Sequence, residues 1–271
     1  MNAASFRLDN RVAVVTGGYG VLGGCIAQGL AGAGARVVVL GRRRSQAEQK
    51  AAELRKQHGE AIAATADVLD ERALVAARDE IVGAWHAVDI LVNAAGGNVA
   101  RARTDTASVF DIPVEAHDEA LRLNLHGTLI PSLVFGAQMA SQRRGCIVNI
   151  SSMAATRVLS GVPAYSMAKA AIENFTRWLA VDVARRYGDA IRVNAVAPGF
   201  FVTEQNKAVL VRSDGSYTER AQRIIEHTPM GRLGEPAEVV GAVRWLCSDA
   251  AAFVTGAVIP VDGGFSLYGG V

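Results

Sequence analysis

The chain has 271 residues, 50% of them apolar, and a formal net charge of +2. That is enough apolar side chain for one large core, and too balanced a charge for a nucleic-acid footprint. Three cysteines (Cys25, Cys146 and Cys247) stand far apart with no CxxC spacing, the usage of reduced thiols in a cytoplasmic protein. Arg11 to Val15 reads as a buried strand, Gly20 to Gly34 as a helix and Arg36 to Leu40 as a second strand. Ser45 to Gln57 has helical composition, with Ser45 as its N-cap. A strand at Ala61 to Thr65 follows, then a helix over Asp70 to Ala84 capped by Asp70. Val88 to Val92 is the next strand, Glu115 to Gln142 one long helical region, and Cys146 to Ile150 a strand. A helix carrying Tyr165, a strand at Ile191 to Val196, a helix at Glu235 to Ser248 and a short strand at Ala257 to Pro260 complete the order. Apolar strands alternating with helices indicate a mostly parallel sheet covered on both faces, in a single doubly wound α/β domain. Ligands of such a fold sit beyond the carboxyl ends of the strands. The one long irregular segment, Phe200 to Gly234, is placed as a lid over that edge.

No charge interrupts Val12 to Ala35, a length that could cross a bilayer, but the stretch holds eight glycines. A strand, a glycine-rich turn and a small-residue helix account for it better, so no membrane association is expected. Met1 to Phe6 has no cationic region leading into an apolar run, hence no export signal. The five histidines (His58, His86, His117, His126 and His227) show no ligand spacing, and no metal site is expected.

The first strand runs directly into Thr16-Gly17-Gly18-Tyr19-Gly20-Val21-Leu22-Gly23-Gly24. Gly18, Gly20 and Gly23 satisfy G-x-G-x-x-G between a strand and a helix, where backbone amides and the helix N-terminus can receive a pyrophosphate. An acid at the end of the second strand would select NAD by its ribose hydroxyl. The sequence there is Leu40-Gly41-Arg42-Arg43-Arg44. Arg42, with Arg43, suits a 2′-phosphate, so NADP is preferred, while a solvated basic loop would leave NAD possible. Asp67-Val68 follows the third strand, where Asp67 either meets an adenine amino group or turns the backbone. The small residues of Asn93-Ala94-Ala95-Gly96 leave room for a cofactor ribose, with Asn93 placed to tie neighbouring strands. Tyr165 and Lys169 stand four apart and share a helix face. A cation one turn away would lower the phenol's pKa and equip it for proton exchange with an alcohol or carbonyl.

Together with Asn124, Ser152 and Pro198-Gly199, these motifs resemble the short-chain dehydrogenase/reductase family, in the right order over nearly the whole sequence. The resemblance implies a Rossmann-type domain that transfers hydride between NAD(P) and a carbonyl or secondary alcohol. By position, it makes Tyr165 the general acid/base, with Lys169 tuning it and holding the nicotinamide ribose. Ser152 would orient the substrate oxygen and Asn124 would hold a relay water. Pro198, Gly199, Phe201 and Thr203 would embrace the carboxamide. One position departs: Val21 stands where the family's motif has glycine.

The C-terminal third (Ala197 to Asn206, His227 to Arg232, Pro260 to Ser266) is similar to the D-mannonate oxidoreductases of that family (fructuronate reductases). That implies a sugar-acid substrate, with Asn98, Arg157, Gln205 and Asn206 on loops facing it. The family also implies a homo-oligomer, a tetramer, with Phe175, Trp178 and Leu179 at the contact. A generic polyol or 3-ketoacyl reductase, or a nucleotide-binding regulator without turnover, is the alternative; the presence of Ser152, Tyr165 and Lys169 argues against the last.

Overall fold

A computed structural model describes residues 6–105, 107–203 and 206–270. Seven parallel strands form one sheet: β1 (Val12–Thr16), β2 (Arg36–Gly41), β3 (Ala61–Thr65), β4 (Ile90–Asn93), β5 (Gly145–Ile150), β6 (Ile191–Pro198) and β7 (Val258–Val261). Their spatial order is β3-β2-β1-β4-β5-β6-β7. The order reverses beside β1, which pairs with β2 on one side and β4 on the other. At that reversal the two crossovers leave in opposite directions and open a crevice past the strand ends.

Because successive strand side chains point to opposite faces, an all-apolar strand feeds two cores. Ala13 and Val15 of β1 join Ile26, Leu30, Val39, Val148 and Leu246 on one face. Val12 and Val14 join Leu40, Leu74, Leu91, Phe135, Met139 and Val193 on the other. The first face is covered by α1 (Val21–Gly32), α2 (Arg44–His58) and α9 (Val239–Cys247). The second is covered by α3 (Glu71–Trp85), α5 (Gly127–Gln142) and α6 (Pro163–Tyr187). Among the described residues no helix is long and apolar enough to cross a membrane.

Two expectations about these elements change. Asp70 caps α3 as read, accepting from the Ala73 amide at 3.1 Å, but Ser45 does not cap α2. The helix begins at Arg44 after an extended Arg43, so Ser45 already lies inside its first turn. The region from Glu115 to Gln142 is not continuous. Helix α4 (Val114–Leu121) passes into a π turn at Arg122–His126 before α5 begins. Asn124 sits in that wide turn, its side chain bonded to the Ala120 carbonyl and across to Gly97. On α6, Leu179 is core and Phe175 packs against it, whereas Trp178 is 63% exposed.

The segment from 200 to 234 has more order than its polar composition suggests. Phe201 bridges to Gly234, closing the segment at its base. Within it, α7 (Lys207–Leu210) and α8 (Glu219–Glu226) enclose a small core of Leu210, Ala221, Ile224 and Leu233. Phe200 and Phe265 meet edge to face at 5.3 Å and fasten this unit to the C-terminal end.

Candidate active site

A cleft of about 710 Å³ runs along the carboxyl ends of the strands. Its floor at the β1 end is the glycine turn. Gly17 adopts φ +63°, and a Cβ there would meet Ala95 Cα at 3.0 Å. The Gly17 carbonyl accepts from the Gly20 amide at 2.9 Å, and Gly20 leads into α1 with Val21 in its first position. The glycine departure at Val21 therefore falls where the helix has begun and a side chain costs nothing. Gly17, Tyr19, Gly20, Val21, Leu22 and Gly23 line the cleft. Gly18 does not: it packs beneath, its hypothetical Cβ 2.8 Å from the Val15 carbonyl. Bare backbone at a helix N-terminus is the shape a diphosphate requires, so these residues fit a dinucleotide.

Thr16 at the end of β1 accepts from the amides of Ala94 and Ala95, both at 3.1 Å, and so sets the next wall. Ala94, Ala95 and Gly96 line the cleft; Asn93 is buried below it. Asn93 Nδ2 donates to Ser132 Oγ and Asn149 Oδ1, both at 2.9 Å, and Asn149 donates onward to Thr176. It ties β4, β5, α5 and α6 together, the structural half of its expected role.

At the β2 end, Tyr19 lies across Gly41, where any Cβ would strike the ring at 2.2 Å. Its hydroxyl accepts from the Arg43 amide at 3.3 Å, and the Arg43 guanidinium stands 5.8 Å from the ring centroid. Arg42, Arg43, Asp67 and Val68 all line the cleft. Asp67 turns the backbone by accepting from the Leu69 amide at 3.0 Å, and its other oxygen stands 3.7 Å from Arg42. Gln46, on the first turn of α2, also faces this end. Nothing in the local pattern distinguishes it from a solvated helix residue.

Ser152, Tyr165 and Lys169 meet at the centre. Ser151 is excluded from that role by its partners: its hydroxyl donates to the buried Glu173 at 3.0 Å. Ser152 instead faces the cleft with the half-buried Tyr165; burial is the larger effect and pushes the phenol above its ordinary value, and the Ser152 hydroxyl acts in the opposite sense. Lys169 donates to the Ile150 carbonyl at 2.7 Å and stands 5.4 Å from the centroid of the Tyr165 ring. Burial pushes its ammonium down to about 8. The lowering of the phenol pKa read from the i, i+4 spacing is thus not what the protein alone produces. Both groups leave water on folding, and desolvation is the largest cause of each shift.

The Lys169 shift has a consequence for stability. Its pKa falls from 10.5 in the unfolded state to about 8 in the folded one. Below pH 8 both states hold the proton and the burial cost is fully expressed. Between about 8 and 10.5 only the unfolded state keeps it, so this site's contribution to stability rises with pH. Denaturant unfolding of the cofactor-free protein and of Lys169→Met at pH 7 and pH 10 should show wild type gaining on the variant by roughly 2 to 3 kcal/mol. A pH-independent difference would show that Lys169 is not desolvated.

The remaining expected residues divide. Pro198, Gly199, Phe201, Thr203, Asn98 and Asn206 line the cleft. Asn206 does so with its amide occupied: Oδ1 accepts from Thr203 and Nδ2 donates to the Phe201 carbonyl, both at 2.7 Å. It shapes the loop. Asn124 is fully buried outside the cleft, its amide exchanging hydrogen bonds with Gly97. Arg157 does not reach the cleft; it is exposed and donates to the Ser266 carbonyl at 2.5 Å. Gln205 lies outside the described residues. Leu159, Val162, Phe200, Val209 and Leu210 form an apolar wall, and Arg103 and Arg220 add two cations. Sequence reasoning misses these because each comes from a loop or short helix whose local pattern carries no signal. Among the described residues no cluster of His, Cys, Asp or Glu could hold a metal ion.

The family model described as enoyl-(acyl carrier protein) reductase matches residues 20–266. The uncharacterized oxidoreductase UxuB of Bacillus subtilis is 41% identical over 98% of each sequence. A solved structure from Haemophilus influenza, provisionally assigned as a D-mannonate oxidoreductase and holding NAD, superposes with a TM-score of 0.91 at 41% identity, covering 98% of both proteins. A gluconate 5-dehydrogenase from Burkholderia cenocepacia, in complex with NADP and tartrate, gives 0.86 at 33% identity over 96% of this protein and 97% of that one. With a glycine cradle, a serine, a tyrosine and a lysine converging in one cleft, the protein belongs to the short-chain dehydrogenase/reductase family and is an NAD(P)-dependent oxidoreductase acting on CH–OH donors.

Proposed function

We propose that this enzyme reduces a keto sugar acid, of the fructuronate type, to the corresponding hydroxy acid of the mannonate type, with NADPH as the preferred cofactor. The observation that carries the reading is the meeting of Ser152, Tyr165 and Lys169 in the cleft that begins at the glycine turn. When bound, the nicotinamide supplies or accepts the hydride. Tyr165 then gives its proton to the substrate oxygen, which Ser152 holds in line. A protonated phenol is the form reduction needs, and the upward push of burial keeps it in that form. Lys169 is anchored by the Ile150 carbonyl beside the ring. Asn124 positions Gly97 and with it the wall of the site. A Cβ at Gly96 would lie 2.7 Å from Asn124 Oδ1, so the wall beside Asn124 has room only for glycine.

The sugar-acid class is supported by the likeness to the Haemophilus and Burkholderia proteins. The preference for NADPH is supported by Arg42 and Arg43 lining the cleft after Gly41, with no acid at the end of β2. A 2′-phosphate would take Arg42 from Asp67, a partner 3.7 Å away that is half-exposed and weakly held. The segment from 200 to 234 acts as the lid. The test is cofactor oxidation, followed by its absorbance, with NADPH and NADH against fructuronate, tagaturonate and several neutral ketoses. Turnover of a uronate, faster with NADPH, is expected. Turnover of neutral ketoses alone would remove the sugar acid, and equal or faster rates with NADH would remove the role of Arg42.

A further inference from the structure

A sugar acid differs from a neutral sugar by one carboxylate, and a cleft that prefers the acid must meet that charge with a cation. Five cationic side chains line the cleft: Arg42, Arg43, Arg103, Lys169 and Arg220. Arg42 and Arg43 stand at the end of β2, against Asp67 and Tyr19. Lys169 is held by the Ile150 carbonyl. Arg103 and Arg220 remain, and both flank the turn at Ser160-Gly161 that leads into the helix of Tyr165. On one side, Thr104 donates its amide to the Gly161 carbonyl at 3.2 Å, which brings the loop of Arg103 against the turn. On the other, Arg220 of α8 donates to Ser160 Oγ at 3.2 Å and to the Ser160 carbonyl at 3.4 Å.

The two arginines differ in charge balance. Arg103 is forked onto Asp105, with Nε and one Nη at 2.9 and 2.5 Å. Those hydrogen bonds hold the Asp105 carboxyl below its ordinary value, and the charge of Arg220 adds to the effect. Arg220 forms no ion pair among the described residues; its contacts to Ser160 are long and uncharged. It is half-buried, on the edge shared by the main cleft and a side cavity walled by Leu159, Phe200 and Phe265. A half-buried arginine hydrogen-bonded only to neutral groups, with the neighbouring Asp105 carboxylate already forked by Arg103, gains from a carboxylate ligand, which accepts two parallel hydrogen bonds and neutralises it.

We propose that Arg220 recognises the substrate carboxylate and makes the enzyme specific for acids, exchanging its contacts with Ser160 for the ligand. Arg103, kept in place by Asp105, lines the same cleft. This rests on the sugar-acid reading above.

The test is calorimetric titration of the enzyme–NADPH complex with D-mannonate and, separately, with D-mannitol; a reduced cofactor with an alcohol cannot turn over. In Arg220→Gln, mannonate affinity should fall at least about tenfold further than mannitol affinity, and Arg220→Lys should recover part of the loss. In turnover, KM for the uronate should rise much more than kcat falls. NADPH affinity of each variant reports that the fold is intact. If wild type reduces a uronate and Arg220→Gln binds mannonate as wild type does, the role of Arg220 is overturned while the sugar-acid reading stands. If wild type binds no mannonate and reduces only neutral ketoses, the reading itself fails and the carboxylate site goes with it.

Discussion

Tyr165→Phe should lower kcat for carbonyl reduction by roughly two to four decades, the usual worth of a positioned proton donor. The substitution removes one oxygen and keeps the ring. That oxygen lies in the cleft beside Ser152, whose own hydroxyl also accepts from the Ala154 amide at 3.2 Å and stays in place. The glycine cradle and the Arg42–Arg43 end are untouched, so NADPH affinity, read by fluorescence titration, should change little. Removing one half-buried hydroxyl is expected to change stability by no more than about 1 kcal/mol, small beside the catalytic effect. Measuring kcat, cofactor affinity and the unfolding midpoint on the same preparation separates the outcomes. Full activity in the variant would deprive Tyr165 of its role, and a parallel collapse of all three quantities would make it structural.

Gly23→Ala should weaken NADPH binding by at least about tenfold and reduce stability by roughly 1 to 3 kcal/mol, the usual range for a forced methyl. A Cβ at this position would stand 2.3 Å from the Gly17 carbonyl oxygen and 2.9 Å from its carbon. Neither is the end of a flexible side chain. Gly17 is itself held at φ +63° and backed against Ala94 and Ala95, so the turn cannot retreat. The added methyl must lift the turn off α1, and the amides that receive the pyrophosphate move with it. Gly24→Ala is the matched comparison one residue on. Its methyl would find nothing closer than Lys50 Cε at 3.5 Å, an ordinary contact with a flexible side chain. Inside α1 that change should leave cofactor binding intact and add up to about 1 kcal/mol of helix stability. Equal NADPH affinity in the two variants would show that the close approach of Gly23 to Gly17 does not organise the site.

Much of the architecture is legible in the sequence because its signals are local and repeated. Most strands are largely apolar runs, and their residues alternate between two cores, as Val12 and Val14 do against Ala13 and Val15. The glycine turn is legible because backbone approach demands glycine whatever surrounds it. Asp70 announces its helix because an N-cap acts over three residues, whereas Ser45 misleads because helix α2 begins without any side-chain cap. The π turn at Arg122–His126 is hidden, since a wide turn has no composition of its own and here depends on Asn124 reaching Gly97 from a distant loop.

For the site, residue order alone establishes which chemical groups are available and how they follow one another: the glycine cradle, the basic pair after β2, Ser152, and Tyr165 one turn from Lys169. What each of them faces is set by packing. Folding turns Ser151 to Glu173 and Ser152 to the cleft, sends Arg157 to Ser266, and places Arg103 and Arg220 on either side of one turn. It also reverses the expected effect on Tyr165, because spacing along a helix reports proximity to a charge and says nothing of desolvation. Periodicity and turn chemistry are properties of sequence neighbours. Burial and the facing of side chains also depend on residues brought together from distant positions, as Arg220 and Ser160 are across 60, and only the folded state specifies them.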